Sequence, residues 1–339
     1  MASERTGILA SGNWVVDHIK TVDHYPGQDQ LASILGETKG NGGGPYNVLK
    51  DLSRLGFAAP LEASGRLGRD DDAEWILDDC KRHRIDVRQL HRTDGKATSY
   101  TVVVSVASTG RRTFFHQRGA NAVLDVDDVD FFKSQAAWFY FGYPMLLDTL
   151  DKPDPDFGSR SARLLAQASQ YEFTTVVDLV SCPGNFDQVV RPCFTHTDYL
   201  LLNEWEGEQL TGINVRAGGG IDRGLVRDIV RRLKAEGVRR GVIMHLEEGA
   251  CAATADGEIW QPSVQVPKEV IKGTNGAGDA FAAGVLYGLH EGWDLQECLK
   301  NGCAVAASCL LSPTTSDGID AHAAVRKRAD DWGWRAHQE

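Results

Sequence analysis

The sequence predicts an α/β fold, a mostly parallel central sheet with helices on both faces, carrying a small antiparallel β lid. Three observations carry that expectation. Strand-like and helix-like segments alternate from about residue 136 onward, a rhythm that implies right-handed crossovers between parallel strands. A hairpin pattern over residues 98–117 interrupts the alternation. Two Gly-rich loops, Gly40–Gly44 and Gly273–Gly278, each run directly into a helical pattern. At 339 residues the chain exceeds the size at which single cores usually stop growing, so two domains or one large domain with an insertion is expected. The polar loop Asp151–Asp156 does not read as a linker, and residues 1–339 are taken as one domain.

In chain order, Gly7–Val16 reads as an opening strand, followed by Asp17 and a polar segment to about Thr38. Polar residues just beyond a buried strand face ligands at its carboxyl end, which makes Asn13 and Asp17 candidates for hydrogen-bonding a polyol. Alone, each would read as a turn residue. The first Gly-rich loop opens a helix with Val48, Leu49, Leu52 and Leu55 at helical spacing, Gly56 as its stop, and Asn47 projecting from its first turn. Leu61–Gly68 is a strand, and Asp70–Arg84 a helix with Trp75, Ile76 and Cys80 inward. Thr98–Ala107 and Arg111–Gln117 flank the turn at Gly110, an antiparallel insertion suited to covering a site. Ala136–Gly142, Thr174–Val180, Tyr199–Asn203 and Gly241–Leu246 read as strands, with Ser159–Tyr171, Leu225–Glu236 and Ala280–Leu289 as helices. Asp256-Gly257 marks another hairpin turn, and Ala321–Trp334 a surface helix.

A net charge of -11 and a pI near 5.4 argue against a surface built for nucleic-acid phosphates or anionic lipid, so neither nucleic acid nor membrane is an expected partner. Any bound anion must be met by a local site. The seven cysteines form no Cys-x-x-Cys pair and no His-Glu-x-x-His is present, which removes support for zinc. Buried thiols, the lack of a signal-peptide pattern and the lack of a long apolar run lead to the expectation of a cytoplasmic protein.

The second Gly-rich loop bears most on chemistry. A glycine turn opening a helix points unpaired N–H groups at one spot with the helix dipole behind them, an arrangement that holds an anion. Asp279 beside that charge needs a task such as taking a proton, although in isolation it would read as a first-turn carboxylate stabilised by about 0.3–1 kcal/mol. Three other pieces share the logic: Asn13 with Asp17, the first Gly-rich loop with Asn47, and Asn203 with Glu206. In phosphate transfer to an alcohol, the first two would hold the acceptor. The third would organise magnesium through water, and the Gly276–Asp279 turn would supply base and anion cradle.

Together these pieces resemble the ribokinase-like PfkB family of carbohydrate kinases, from about Gly7 to Gly318. Gly273-Thr-Asn-Gly-Ala-Gly-Asp279 matches the family's Asp-Thr-x-Gly-Ala-Gly-Asp, Gly42–Gly44 with Asn47 its N-terminal signature, and Asn203-Glu-Trp-Glu206 its Asn-x-x-Glu. The segment Arg111–Asn121, ending Gly-Ala-Asn, is also typical of it. The resemblance implies a ribokinase-like three-layer sandwich, a lid formed by insertions at about 14–39 and 97–118, and an ATP-dependent sugar kinase. Asp279 would accept the proton of the attacking hydroxyl, worth roughly 10²–10⁴-fold. The backbone of Gly276, Ala277 and Gly278 would hold the developing phosphate charge, at about 3–4 kcal/mol for one preorganised donor. Asn13, Asp17, Gly43, Gly44 and Asn47 would bind the sugar. Asn203, Glu206, His245, Gly249, Thr274 and Asn301 would serve the nucleotide, Asn301 at the adenine and Glu206 at Mg²⁺ through water. The lid would exclude water and prevent ATP hydrolysis, and would pair two copies into a homodimer.

Two positions depart from the family pattern. Gly273 stands where the family has Asp, a residue that in related kinases helps bind a monovalent cation, which leaves that cation open here. Met244–Gly249 replaces Thr-Leu-Gly-x-x-Gly and puts Glu247 near the nucleotide, which leaves the phosphate donor open. Two alternatives follow. A nucleoside kinase is suggested by Thr274-Asn275, with Tyr46, Tyr100, Phe114 or Phe115 to receive a purine. A non-catalytic sugar-binding regulatory homologue is suggested by the two departures, and Asp279 with its preceding glycines speaks against it.

Overall fold

Alternation of apolar side chains sets the two faces of the central sheet. Ile8 and Ala10 enter one core with Val176, Leu201 and Ile243, whereas Leu9 enters another with Val177, Leu200, Leu202, Val242 and Met244. That is the period-two signature of strands buried on both sides. The computed structural model describes residues 5–336. The first half contains β1 (Ile8–Gly12), β2 (Val15–Val22), β3 (Ile34–Gly42), α1 (Gly44–Leu55), β4 (Leu61–Leu67), α2 (Asp71–Arg82), β5 (Ile85–Arg92), β6 (Ser99–Val106), β7 (Arg112–Gln117) and β8 (Trp138–Gly142). Two-residue strands β9 (Pro153–Asp154) and β10 (Gly158–Ser159) lead to α3 (Arg160–Gln170), β11 (Thr174–Asp178), the short α4 (Phe186–Val189), β12 (Tyr199–Asn203) and α5 (Glu204–Thr211). The chain finishes with α6 (Arg223–Ala235), β13 (Gly241–Leu246), β14 (Gly249–Thr254), β15 (Gly257–Pro262), α7 (Ala277–His290), α8 (Leu295–Cys309) and α9 (His322–Trp332).

The nine-stranded sheet runs β15-β14-β13-β12-β11-β8-β1-β4-β5. It is parallel from β5 to β13 and antiparallel over β13, β14 and β15. Helices α1, α2, α7 and α8 pack on one face and α3, α5 and α6 on the other, the three layers expected. From β1 the chain builds outward through β4 and β5, then returns to start β8 on the opposite side. The crevice at such a reversal, outside the carboxyl ends of the strands, is where open α/β sheets bind ligands. Here it lies at Gly12 and Gly142, which are paired in register.

A second sheet of four strands, β3-β2-β6-β7, stands beside it and occupies the expected lid segments. Its outer pairs are antiparallel, but the central pair β2 and β6 runs parallel, so the lid is a mixed sheet. The reason lies in the first strand, which is not continuous over 7–16. At Asn13 and Trp14 the chain leaves the central sheet: the Asn13 N–H donates to Gly142 O at 2.9 Å, and the Trp14 indole is buried and donates to Ser64 O at 2.8 Å. From Val15 the pairing passes to Ser99 of β6. Gly40–Gly42, expected as loop, is the end of β3, and the edge strand β5 lay hidden in the polar run Ile85–Arg92. All seven cysteines are free, six of them buried. Among the described residues no helix is long and apolar enough to cross a membrane.

Candidate active site

Asp279 lies in the first turn of α7, buried. The helix starts at Gly276 with φ 78°, a left-handed conformation that glycine adopts without strain, and among the described residues no side chain caps it. A Cβ at 276 would also stand 2.7 Å from Thr315 Cβ. Both carboxylate oxygens are engaged: Asn47 Nδ2 donates to Oδ2 at 2.8 Å, and the Tyr143 hydroxyl donates to Oδ1. Burial pushes the pKa of Asp279 up to about 6, while these two hydrogen bonds pull it down.

Asn47 is oriented by a buried amide chain. Its Oδ1 accepts from Asn41 Nδ2 at 2.7 Å and from Thr315 Oγ1 at 3.3 Å, so its NH₂ group is left to face Asp279. Asn41 in turn donates to Ser316 Oγ at 2.8 Å and accepts from Lys50 Nζ at 3.1 Å. The expected sugar-binding Asn47 is therefore first a positioning residue for the carboxylate. Gly43 and Gly44 let α1 start against the strand ends: a Cβ at 43 would lie 2.0 Å from Asn13 O, and one at 44 would lie 2.8 Å from the Tyr140 hydroxyl.

Asp17, on β2, is buried and accepts from Asn275 Nδ2 at 3.2 Å. Burial raises its pKa to about 7; the Asn275 hydrogen bond lowers it, the Asp279 charge raises it and Arg112 lowers it. Asn13 does not present its amide to this space. Its Nδ2 donates to Tyr143 O at 2.9 Å and its Oδ1 accepts from Asn121 Nδ2 at 3.4 Å, because the chain crosses between sheets here and needs that tie.

On the other side of the 274–278 turn is a cleft of about 800 Å³, lined among others by Asn203, His245, Gly249, Thr274, Gly278 and Phe281. His245 packs on Phe281 at 5.3 Å, and burial lowers its pKa to about 4, so a neutral ring lies under the start of α7. Glu247 lines the cleft but is paired with Arg335 at 3.1 Å, which offsets its charge. Asn203 and Glu206 form the capping box of α5. The Glu206 carboxylate accepts from Asn203 N at 2.8 Å, Asn203 Nδ2 at 2.9 Å and Ser181 Oγ at 2.9 Å, and burial raises it to about 7. Asn301 is not brought to the cleft. It lies on the face of α8 opposite Cys303, Ala306, Ala307 and Leu310, donating to Gly284 O at 2.8 Å and bonded to His322 Nε2 at 2.9 Å. A larger open groove, about 1680 Å³, meets the cleft at Val266 and Arg335 and is lined by Glu248 of the Met244–Gly249 segment.

Tyr143, Arg112 and Asp178 belong to the site without having been singled out in the sequence, and Asn275, read there only as a hint of a nucleoside acceptor, bonds Asp17. Tyr143 and Asp178 lie at or just beyond the carboxyl ends of β8 and β11, the positional signal that could have found them. Asp178 accepts from the Tyr140 hydroxyl at 2.7 Å, and its pKa is raised by burial and then by Asp279.

A model of the pfkB family of carbohydrate kinases matches residues 6–322. The chain is 24% identical over 327 residues to a 5-dehydro-2-deoxygluconokinase of Clostridium perfringens, spanning 94% of this chain and 91% of that protein. It is 27% identical over 278 residues to an aminoimidazole riboside kinase of Salmonella typhimurium, 80% of this chain and 82% of that one. The structure of Arabidopsis thaliana ribokinase complexed with ribose and ATP superposes with a TM-score of 0.77 at 19% identity, covering 96% of this chain and 99% of that one. At that identity the likeness speaks for the fold alone.

Proposed function

The chain belongs to the pfkB family of carbohydrate kinases and is a phosphotransferase acting on a sugar, and from that premise we propose that ATP is its donor and Asp279 its general base. The observation that carries this reading is the placement of one buried carboxylate at an uncapped helix start whose neighbouring residues Ala277 and Gly278 line the 800 Å³ cleft, with Asn275 just before it bonded to Asp17. With a folded pKa near 6, Asp279 is ionised at neutral pH yet basic enough to take a proton. ATP occupies the cleft with its γ-phosphate against the backbone N–H groups of Gly276, Ala277 and Gly278. Asp17 orients the acceptor so that one hydroxyl faces Asp279, where the Tyr143 and Asn47 donors hold the carboxylate in line. The proton passes to Asp279 as the hydroxyl oxygen bonds to phosphorus and the bond to ADP breaks.

Magnesium fits the donor set in one way. The Asp279 charge raises the proton affinity of both Asp178 and Glu206, and Glu206 already accepts three hydrogen bonds, so a hydrated divalent ion touching Glu206 through water suits it better than direct ligation. Such an ion supplies charge neutralisation for the phosphates. Of the aromatics open to a purine acceptor, Tyr46 is fully buried and stacked on Trp14 at 5.4 Å, which weakens the nucleoside alternative. The exposed Ile34, Leu35, Phe114 and Phe115 on the lid's two edge strands support pairing of two copies through the lid. The free thiols fit the reducing cytoplasm as the place of action.

A coupled ADP-release assay over neutral sugars, sugar acids and ribosides tests the assignment. Asp279→Asn is expected to lower kcat by at least about 10²-fold while calorimetry still detects acceptor binding. Undiminished turnover in that variant sinks the proposed base.

A further inference from the structure

Arg112 is the first residue of β7 and reaches from the lid toward the 273–275 turn. Its Nη2 lies 2.3 Å from where a Cβ on Gly273 would be, so only glycine at 273 leaves the guanidinium its place. Its Nη1 is sealed from solvent and has no hydrogen-bond partner among the described residues. A guanidinium has five donors and stays charged, so a buried, unmet N–H on it is a strong request for an acceptor.

The same side chain lines an open space beside it. A cavity of about 400 Å³ is lined by Thr109, Gly110, Arg111, Arg112, Phe114, Thr274 and Asn275. Two cations and no carboxylate face it, which selects for a negative ligand. The cavity also lies on the acceptor side of the site. Asn275, one of its walls, donates to Asp17. Arg112 lowers the pKa of Asp17, whereas Asp279 answers to burial, Tyr143 and Asn47.

We infer that Arg112, with Arg111 beside it, receives an anionic substituent of the sugar acceptor, a carboxylate or a phosphate, so that the substrate class is the acidic sugars. This rests on the sugar-kinase reading above. A sugar whose hydroxyls meet Asp17 extends its anion past Asn275 to the forked guanidinium, which binds two oxygens at once.

The test compares sugar acids and sugar phosphates with their neutral parent sugars, using the full chain and the variants Arg112→Gln and Arg112→Lys. The wild type is expected to favour one anionic series, by about 10- to 100-fold in kcat/KM. Arg112→Gln should collapse that preference through KM for the acceptor, and Arg112→Lys should restore part of it. Which anionic series responds separates carboxylate from phosphate. Equal use of charged and neutral acceptors by the wild type overturns the inference, as does a fall in kcat common to both classes, which would put Arg112 on the transferred phosphoryl group. Calorimetric titration of the same acceptors without nucleotide reads the contact independently of turnover. Tighter binding of an anionic acceptor by the wild type than by Arg112→Gln supports the inference, and equal binding overturns it. Absence of ADP release from every acceptor counts against the kinase reading, and the titration still decides on Arg112.

Discussion

At the residue level the chemistry depends on how basic Asp279 is. The acid limb of kcat at saturating acceptor is expected near pH 6, with activity present above it and lost below as the carboxylate takes a proton. The Tyr143 hydroxyl stabilises the ionised form, so Tyr143→Phe raises the pKa further and moves the limb upward by about one pH unit, the equivalent of one charge-assisted hydrogen bond. A pH profile of kcat checks this, and a limb that stays in place would assign the titration to another group. Asp279 was legible because its motif is contiguous in sequence. Tyr143 was not, because its partner is 136 residues away and only the reversal between β1 and β8 brings the two together. Asn13 was legible as a polar residue past a strand, but its use as a tie to Tyr143 depends on the chain changing sheets at that point.

At the level of elements, the start of α7 is the critical piece. Gly276→Ala places an L-residue at φ 78°, which costs roughly 1–2 kcal/mol, and presses on Thr315. The resulting shift misaligns the backbone donors, so kcat should fall about 10²-fold, in the range of losing one such donor, while the thermal midpoint drops by only a few degrees. Parallel loss of both would mean that the variant fails only in folding. Strands β12 and β13 were readable to the residue, because each is an apolar run with a clear stop. β5 was not readable, since an edge strand of the sequence Ile-Asp-Val-Arg-Gln-Leu-His-Arg buries only Ile85 and Leu90 and carries no apolar alternation strong enough to announce itself. The Asn203-x-x-Glu206 spacing fits both a nucleotide motif and a capping box, and the structure shows the capping role directly.

For the whole molecule, the rhythm of strands and helices indicated a three-layer sandwich, but the strand order, with β1 between β4 and β8, is a tertiary fact that no local pattern encodes. The same holds for the parallel pairing of β2 with β6. If the lid pairs two copies, light scattering on the eluting protein should give about twice the 37.0 kDa chain mass, and Phe115→Asp should return it to one copy. A wild-type monomer at assay concentrations would remove the dimer. The crossing at Asn13 and Trp14 has a wider effect, since it places Asp17 on the lid while Asp279 stays with the body. The two carboxylates feel each other, since the Asp279 charge raises the pKa of Asp17. The lid and the body therefore each bring one carboxylate to their seam, and an acceptor hydroxyl placed between them would relieve the repulsion that their approach creates.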